Sequence, residues 1–177
     1  MNQVRESLPK PVKDFFYKLS DYLDTELYFY GSINRSDYIH GQSDIDLAIF
    51  TDNENSVISK LQHFLHVKRD AFDKVVWKLR GTVVYGYKIK CEEFMDIKCE
   101  IAIYNTNYKE TLLEEFKSND YIPWHIAILL YIIKTIHYTI PILSKQTYMK
   151  LKVYIFNTLL NNKKDYIFYV IKANKDN

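Results

Sequence analysis

The sequence predicts an α+β fold, in which a mixed β-sheet flanked by helices is followed by a small C-terminal helical bundle. Three observations carry this reading. Runs of alternating apolar and polar residues recur between Glu26 and Tyr104, the period-two signature of strands with one face buried. Segments with apolar residues at three-and-four spacing precede and separate those runs, as helices require. From Tyr108 onward the spacing is helical, which divides the 177 residues into a mixed unit at 1–107 and a helical unit at 108–177. That length suits one functional unit and is too short for two full-sized domains.

Each element follows from its own pattern. "PVKDFFYKLSDYLDT" places Phe15, Phe16, Leu19, Tyr22 and Leu23 on one helical stripe, behind two prolines that mark a helix start. "ELYFYGS" reads as a short buried strand ending at Gly31 and Ser32. "SDIDLAIF" is a second strand, closed by the turn-forming "TDNEN", and "SVISKLQHFL" returns to helical period. "KVVWKLRG", "TVVYGYKIKC" and "MDIKCEIAIY" read as three further strands. The helical half comprises "YKETLLEEF", "WHIAILLYIIKTIHY", "TYMKLKVYIFNTLL" and "DYIFYVIKA". A connection of only three residues, Asn105 to Asn107, implies that the halves pack together.

Composition narrows the function classes. A formal net charge of +2 provides no global basic field of the kind that dominates non-specific DNA binding, and nucleic acid is neither demanded nor excluded. The N-terminal "MNQVRESLPKPVKDF" lacks the apolar segment of a signal peptide. The longest apolar stretch, "YIPWHIAILLYIIKTIHYTIPIL", is interrupted by His125, Lys134, His137 and Pro141, which favours a buried helix over a membrane span. The expectation is a soluble cytoplasmic protein. Cys91 and Cys99 lie in an apolar-alternating region without metal-ligand spacing and read as reduced core thiols.

The chemistry-bearing stretch is "FYGSINRSDYIHGQSDIDLAIF". Two acids one residue apart on a strand project to the same face and repel, unless water screens them or a cation sits between them. The apolar residues after Asp46 argue for the cation. Gly31 lets backbone approach a phosphate closely, the following amides and the Ser32 hydroxyl can donate, and Arg35 can fork onto the same oxygens. Asp44 and Asp46, introduced by Ser43, are hard oxygen ligands suited to Mg²⁺, which takes one or two carboxylates plus phosphates and water. Two such ions about 3.5–4 Å apart would stabilise attacking and leaving oxygens of an in-line displacement. A third carboxylate is then needed, and "MDIKCEIAIY" offers Asp96 and Glu100. Glu100 is preferred, because "EIAIY" mirrors the "DLAIF" that follows Ile45 and so places its acid at the same height.

This ordered set, Gly-Ser, Asp-x-Asp, then an acid on a later strand, resembles the DNA polymerase beta nucleotidyltransferase superfamily over about Glu26 to Tyr104. The third acid here is Glu where the polymerases usually carry Asp. The resemblance implies a mixed sheet with helices on one side, two Mg²⁺ ions that Mn²⁺ could replace, and transfer of a nucleoside monophosphate from a nucleoside triphosphate, such as ATP, to an acceptor hydroxyl with release of pyrophosphate. Carried over by position, Asp44 and Asp46 would bind both metals, and Glu100 would serve the nucleophile-side metal. Gly31, Ser32, Arg35 and Ser43 would hold the triphosphate, together with Lys134 projecting from the helical half. The expected acceptor is a small molecule or a protein side chain, as in the minimal nucleotidyltransferases. Addition to a DNA or RNA 3′ end is the alternative, and an inactive nucleotide-binding module is a third reading.

Other conspicuous residues take plainer expectations. His125 and His137 lack metal-ligand spacing, and Trp77 and Trp124 read as packing residues. Tyr38, Tyr85 and Tyr87 are each candidates for stacking on a base. The aromatic-rich C-terminal helices suggest self-association or a protein partner.

Overall fold

The computed structural model describes residues 8–79, 81–91, 97–139, 143–155 and 167–172. Among them it shows a six-stranded mixed sheet and five α-helices. The strands are β1 (Tyr28–Tyr30), β2 (Ile45–Thr51), β3 (Asp73–Leu79), β4 (Thr82–Cys91), β5 (Cys99–Asn105) and β6 (Ile167–Ile171). Their order across the sheet is β1-β2-β5-β4-β3-β6. Only β2 and β5 run parallel; every other pairing is antiparallel. The helices are α1 (Lys10–Leu23), α2 (Glu54–Leu65), α3 (Lys109–Asp120), α4 (Trp124–Thr139) and α5 (Lys145–Tyr154).

Local chemistry sets the helix ends. Proline at the start of α1 costs no hydrogen bond there, because the first N–H groups of a helix have no intrahelical partner. Asp24 closes that helix in the left-handed conformation, at φ 53°. Asn53, from the expected "TDNEN" turn, caps α2 by accepting from the Ser56 amide at 3.0 Å.

The core orients the acids. Ile45, Leu47 and Ile49 of β2 and Cys99, Ile101 and Ile103 of β5 are buried against Phe15, Phe16 and Leu19 of α1 and Ile58 and Leu61 of α2. Because strand side chains alternate, this burial sends Asp46 and Glu100 to the opposite face. A one-residue slip would exchange the two sets, so the apolar pattern specifies where the carboxylates point. On that opposite face Ala48, Phe50, Ala102 and Tyr104 pack against Leu112 and Phe116 of α3. Helices therefore cover both faces, whereas the resemblance implied one.

The last strand is the clearest departure from the sequence reading. "DYIFYVIKA" was expected as a helix, but Ile167–Ile171 is a strand paired antiparallel with β3, from Lys74↔Ile171 to Lys78↔Ile167. Its β-branched and aromatic composition suits a strand, and the pairing satisfies the N–H and C=O groups along one side of β3. The segment beyond 108 thus returns to the sheet and is not all-helical. Ile126, Leu130 and Ile155 join α4 to α5 in a small separate cluster. The expected remainder of the helix beyond Ile155 lies outside the described residues. No described helix is long and apolar enough to cross a membrane.

Candidate active site

The acids stand in one row across the sheet. Register pairs Tyr30 of β1 with Asp46, Asp46 with Glu100 of β5, and Glu100 with Lys90 of β4. Directly opposed residues share a face, so Tyr30, Asp46, Glu100 and Lys90 line up side by side. Asp44 lies immediately before β2 and is exposed, while Asp46 is half-buried. The row therefore opens to solvent at its Asp44 side.

The Gly-Ser turn meets this row directly. Gly31 and Ser32 begin a 3₁₀ turn at 31–34 that leaves β1, and Gly31 adopts φ +75°. A Cβ on Gly31 would sit 2.8 Å from Asp46 Oδ2. Glycine is required twice, for its left-handed backbone and for the space the Asp46 carboxylate occupies. The turn is braced by Asn34, whose Nδ2 donates to the Phe29 carbonyl at 3.0 Å and to Asp120 Oδ2 at 2.8 Å.

Electrostatics reveal what the row lacks. Burial, then the neighbouring Glu100 and, more weakly, Asp44, push the Asp46 carboxyl up to about 7, although Lys152 of α5 and Arg35 oppose this. Burial, and then Asp46, also raise the Tyr30 phenol, which stays protonated. Glu100 is balanced by lysine: Lys88 Nζ lies 3.1 Å from both of its oxygens and Lys90 Nζ 3.7 Å from Oε2. The Lys88 ammonium is a stand-in cation on this carboxylate. Among the described residues no cationic side chain forms an ion pair with Asp44 or Asp46. Nor do any three described His, Cys, Asp or Glu side chains form a ready-made cage for an ion. Asp46, raised chiefly by its burial, and the exposed Asp44 beside it, neither with a cationic partner among the described residues, fit Mg²⁺, which completes its shell with phosphates and water.

Arg35 and Lys134, expected on the triphosphate, both converge on Asp37. Arg35 forks onto it, with Nε 2.8 Å from Oδ1 and a terminal nitrogen 3.2 Å from Oδ2. Lys134 Nζ reaches Oδ2 at 2.8 Å and the Asp37 carbonyl at 2.9 Å. All three side chains are buried. Burial pushes the Asp37 carboxyl up, but Arg35 and Lys134 outweigh it and hold it below its usual value. Lys134 also lies 3.5 Å from Ser43 Oγ, which accepts from the Ile39 amide at 3.1 Å. This network clamps loop 35–43 onto α4 and so positions Ser43 and Asp44.

The remaining expectations divide. Asp96 lies outside the described residues. Cys91 and Cys99 are buried free thiols facing each other across β4 and β5. His137 stacks on Tyr148 at 4.4 Å and bonds the Leu143 carbonyl at 3.0 Å, a packing arrangement. Trp77 is half-buried against the α3 side. Trp124, expected as a packing residue, is exposed as the first residue of α4. Sequence reasoning missed Asp37, Lys88, Lys90, Lys152 and Tyr30. The two β4 lysines share a parity with each other, a local signal, but only strand pairing places them against Glu100.

The family model described as a nucleotidyltransferase domain matches residues 10–119. The chain belongs to that family. The match runs from α1 into the last turn of α3 and contains Gly31, Ser32, Asp44, Asp46 and Glu100; Lys134 and Lys152 lie beyond it. Among curated proteins no relative matches this nucleotidyltransferase domain. Solved structures similar to it include a GLD-2/RNP-8 complex, at 16% identity and TM-score 0.40, over 84% of this chain and 53% of that one. A second is Cid1, described by its RNA terminal uridylyl transferase activity, at 16% identity and TM-score 0.35, over 81% and 39%. A third is terminal uridylyl transferase 4 from Trypanosoma brucei with bound GTP, at 16% identity and TM-score 0.32, over 72% and 40%. The chain spans about half or less of the length of these proteins.

Proposed function

We propose that this nucleotidyltransferase domain moves a nucleoside monophosphate from a nucleoside triphosphate to an acceptor hydroxyl, with Asp44, Asp46 and Glu100 as the carboxylates of a two-Mg²⁺ site. In the reaction the acceptor oxygen bonds to the α-phosphorus, the bond from the α-phosphorus to the bridging oxygen breaks, pyrophosphate leaves with that oxygen and the bond pair, and the acceptor's proton passes to water. When bound, the divalent ions supply charge neutralisation for the phosphates and polarisation of the acceptor oxygen. The observation that carries this reading is the Tyr30–Asp46–Glu100 row abutting Gly31.

The chain's own residues divide the remaining work. The Gly31–Ser32 turn and Ser43 offer donors to the triphosphate, and the half-buried Lys152, whose charge reaches Asp46, adds a cation from α5. Arg35 and Lys134 act through Asp37 by holding the loop that presents Ser43 and Asp44. Lys88 and Lys90 fix the Glu100 carboxylate in the row. The proposed acceptor is a hydroxyl of a small molecule or protein. Addition to a nucleic-acid 3′ end is a second reading, favoured by the exposed lysines and tyrosines of β3, β4 and β6.

The test is transfer of labelled nucleotide from each ribo- and deoxyribonucleoside triphosphate, with Mg²⁺, to a primer, tRNA or cell extract. Label moving to one acceptor class, and stopping when EDTA removes divalent ions, is the expected result. Transfer that persists at full rate in EDTA would remove the metal from the reading. Gly31→Ala provides a sharper check. The left-handed backbone costs an alanine about 1–2 kcal/mol, and the added methyl displaces Asp46. Transfer should fall about 10²-fold, as for a misplacement of about 1 Å in a reacting group.

A further inference from the structure

Among the described residues, the helices on the α1 and α2 side cover β1, β2, β5 and one end of β4 and leave the β4-β3-β6 half of that face exposed. Register assigns its side chains to rows. Tyr85 of β4, Val76 of β3 and Tyr169 of β6 form one; Tyr87, Lys74 and Ile171 form the next. Tyr85 is 59% and Tyr169 61% exposed, although both are large aromatic residues in regular strands. Two strand spacings of about 4.8 Å separate them, enough to stack two different bases. Between the rows lies a shallow cleft of about 450 Å³, lined by Lys74, Val76, Tyr85, Tyr87 and Ile171, with Glu54 at its rim.

Charge on this shelf is predominantly positive. Lys74 and Lys78 of β3 are exposed on it. The Arg69 guanidinium sits 5.4 Å over the Tyr87 ring and is held by Asn55 at 2.8 Å. Against these stand Asp70 and Glu54, the latter accepting from Asn105 at 3.0 Å. Exposed aromatic rings interleaved with cations along adjacent strands are the elements of a single-strand platform: rings stack on base faces, and cations follow the phosphates. A protein partner would favour a continuous apolar face, whereas lysine interrupts this one.

We propose that the exposed face of β4-β3-β6 binds single-stranded nucleic acid, through Tyr85 and Tyr169 stacking on bases and Lys74 and Lys78 contacting phosphates. This binding is separate from the carboxylate row, which lies on the other face of the sheet, and does not depend on the transfer reaction.

Fluorescence anisotropy of labelled 12-nucleotide oligo(U) and oligo(dT) tests it, with a duplex of the same length as comparator. Single strands should bind more tightly than the duplex, whose base faces are already stacked. Tyr85→Ala and Tyr169→Ala should each weaken binding about tenfold, while Tyr85→Phe, which keeps the ring, retains it. Lys74→Gln with Lys78→Gln should lower the slope of log affinity against log salt by about 1.4, at about 0.7 per phosphate contact. Asp44→Ala with Asp46→Ala should bind as wild type does, so the platform can stand even if the transfer reading fails. All these positions except Asp46 are exposed, and an unchanged melting temperature checks folding of each surface variant. Wild-type protein that binds no oligonucleotide, binds duplex equally, or is indifferent to both tyrosine substitutions overturns the proposal.

Discussion

Asp44→Ala/Asp46→Ala is expected to lose nucleotide transfer by at least about 10³-fold, the scale on which removing preorganised electrostatic partners of a transition state is felt. The same change should leave the metal-free protein as stable as wild type, or more so. Asp46 is held beside Glu100 with its carboxyl raised to about 7, so as a carboxylate it destabilises the fold. The sign follows from linkage: a carboxyl whose folded value lies above its unfolded value of about 3.9 binds its proton more tightly in the native state. Without divalent ions, stability should therefore decline as pH rises from about 4 through about 7, and Asp46→Asn should flatten that decline. Chemical denaturation across this range, with EDTA present, reads it out. A double variant that transfers nucleotide normally would show that these carboxylates are not the catalytic pair.

Asp37→Ala is expected to destabilise the domain by about 3–5 kcal/mol, because it strands the buried Lys134 and Arg35 charges without their carboxylate. That loss would consume much of the roughly 5–15 kcal/mol that holds a domain folded. Adding Lys134→Met should recover part of it, since one stranded charge disappears and an apolar side chain takes its volume. Urea denaturation of the single and double variants measures both quantities. A loss below about 1 kcal/mol for Asp37→Ala would mean that loop 35–43 is held in place by something other than this network. The network also explains why Arg35 and Lys134, 99 residues apart in the chain, belong to one structural unit with Asp37.

Much of the site was legible because its spacing is local. Strand alternation predicts a shared face for Asp44 and Asp46, and the buried Ile45, Leu47 and Ile49 determine which face Asp46 takes, with Asp44 just ahead of the strand. Glu100 was legible by the same logic, from the parallel pattern of "DLAIF" and "EIAIY", and the structure pairs Asp46 with Glu100 in register. In the sequence Gly31 reads as a point of close backbone approach to a phosphate; the structure adds that the Asp46 carboxylate occupies the space beside it. The helical reading of "DYIFYVIKA" failed because a short apolar run suits either period, and its partner strand, β3, lies about 90 residues earlier.

The sequence by itself determined the order of elements through the first five strands, the paired acids and the glycine turn, because each depends on residues within a few positions of one another. Only the tertiary structure decided what faces those groups: Lys88 and Lys90 on Glu100, Asp37 between Arg35 and Lys134, Tyr30 beside Asp46, and an open shelf where β6 joins the sheet. The physical reason is that side-chain periodicity is a local property, whereas ion pairing, burial and strand neighbours depend on which distant segments the sheet brings together.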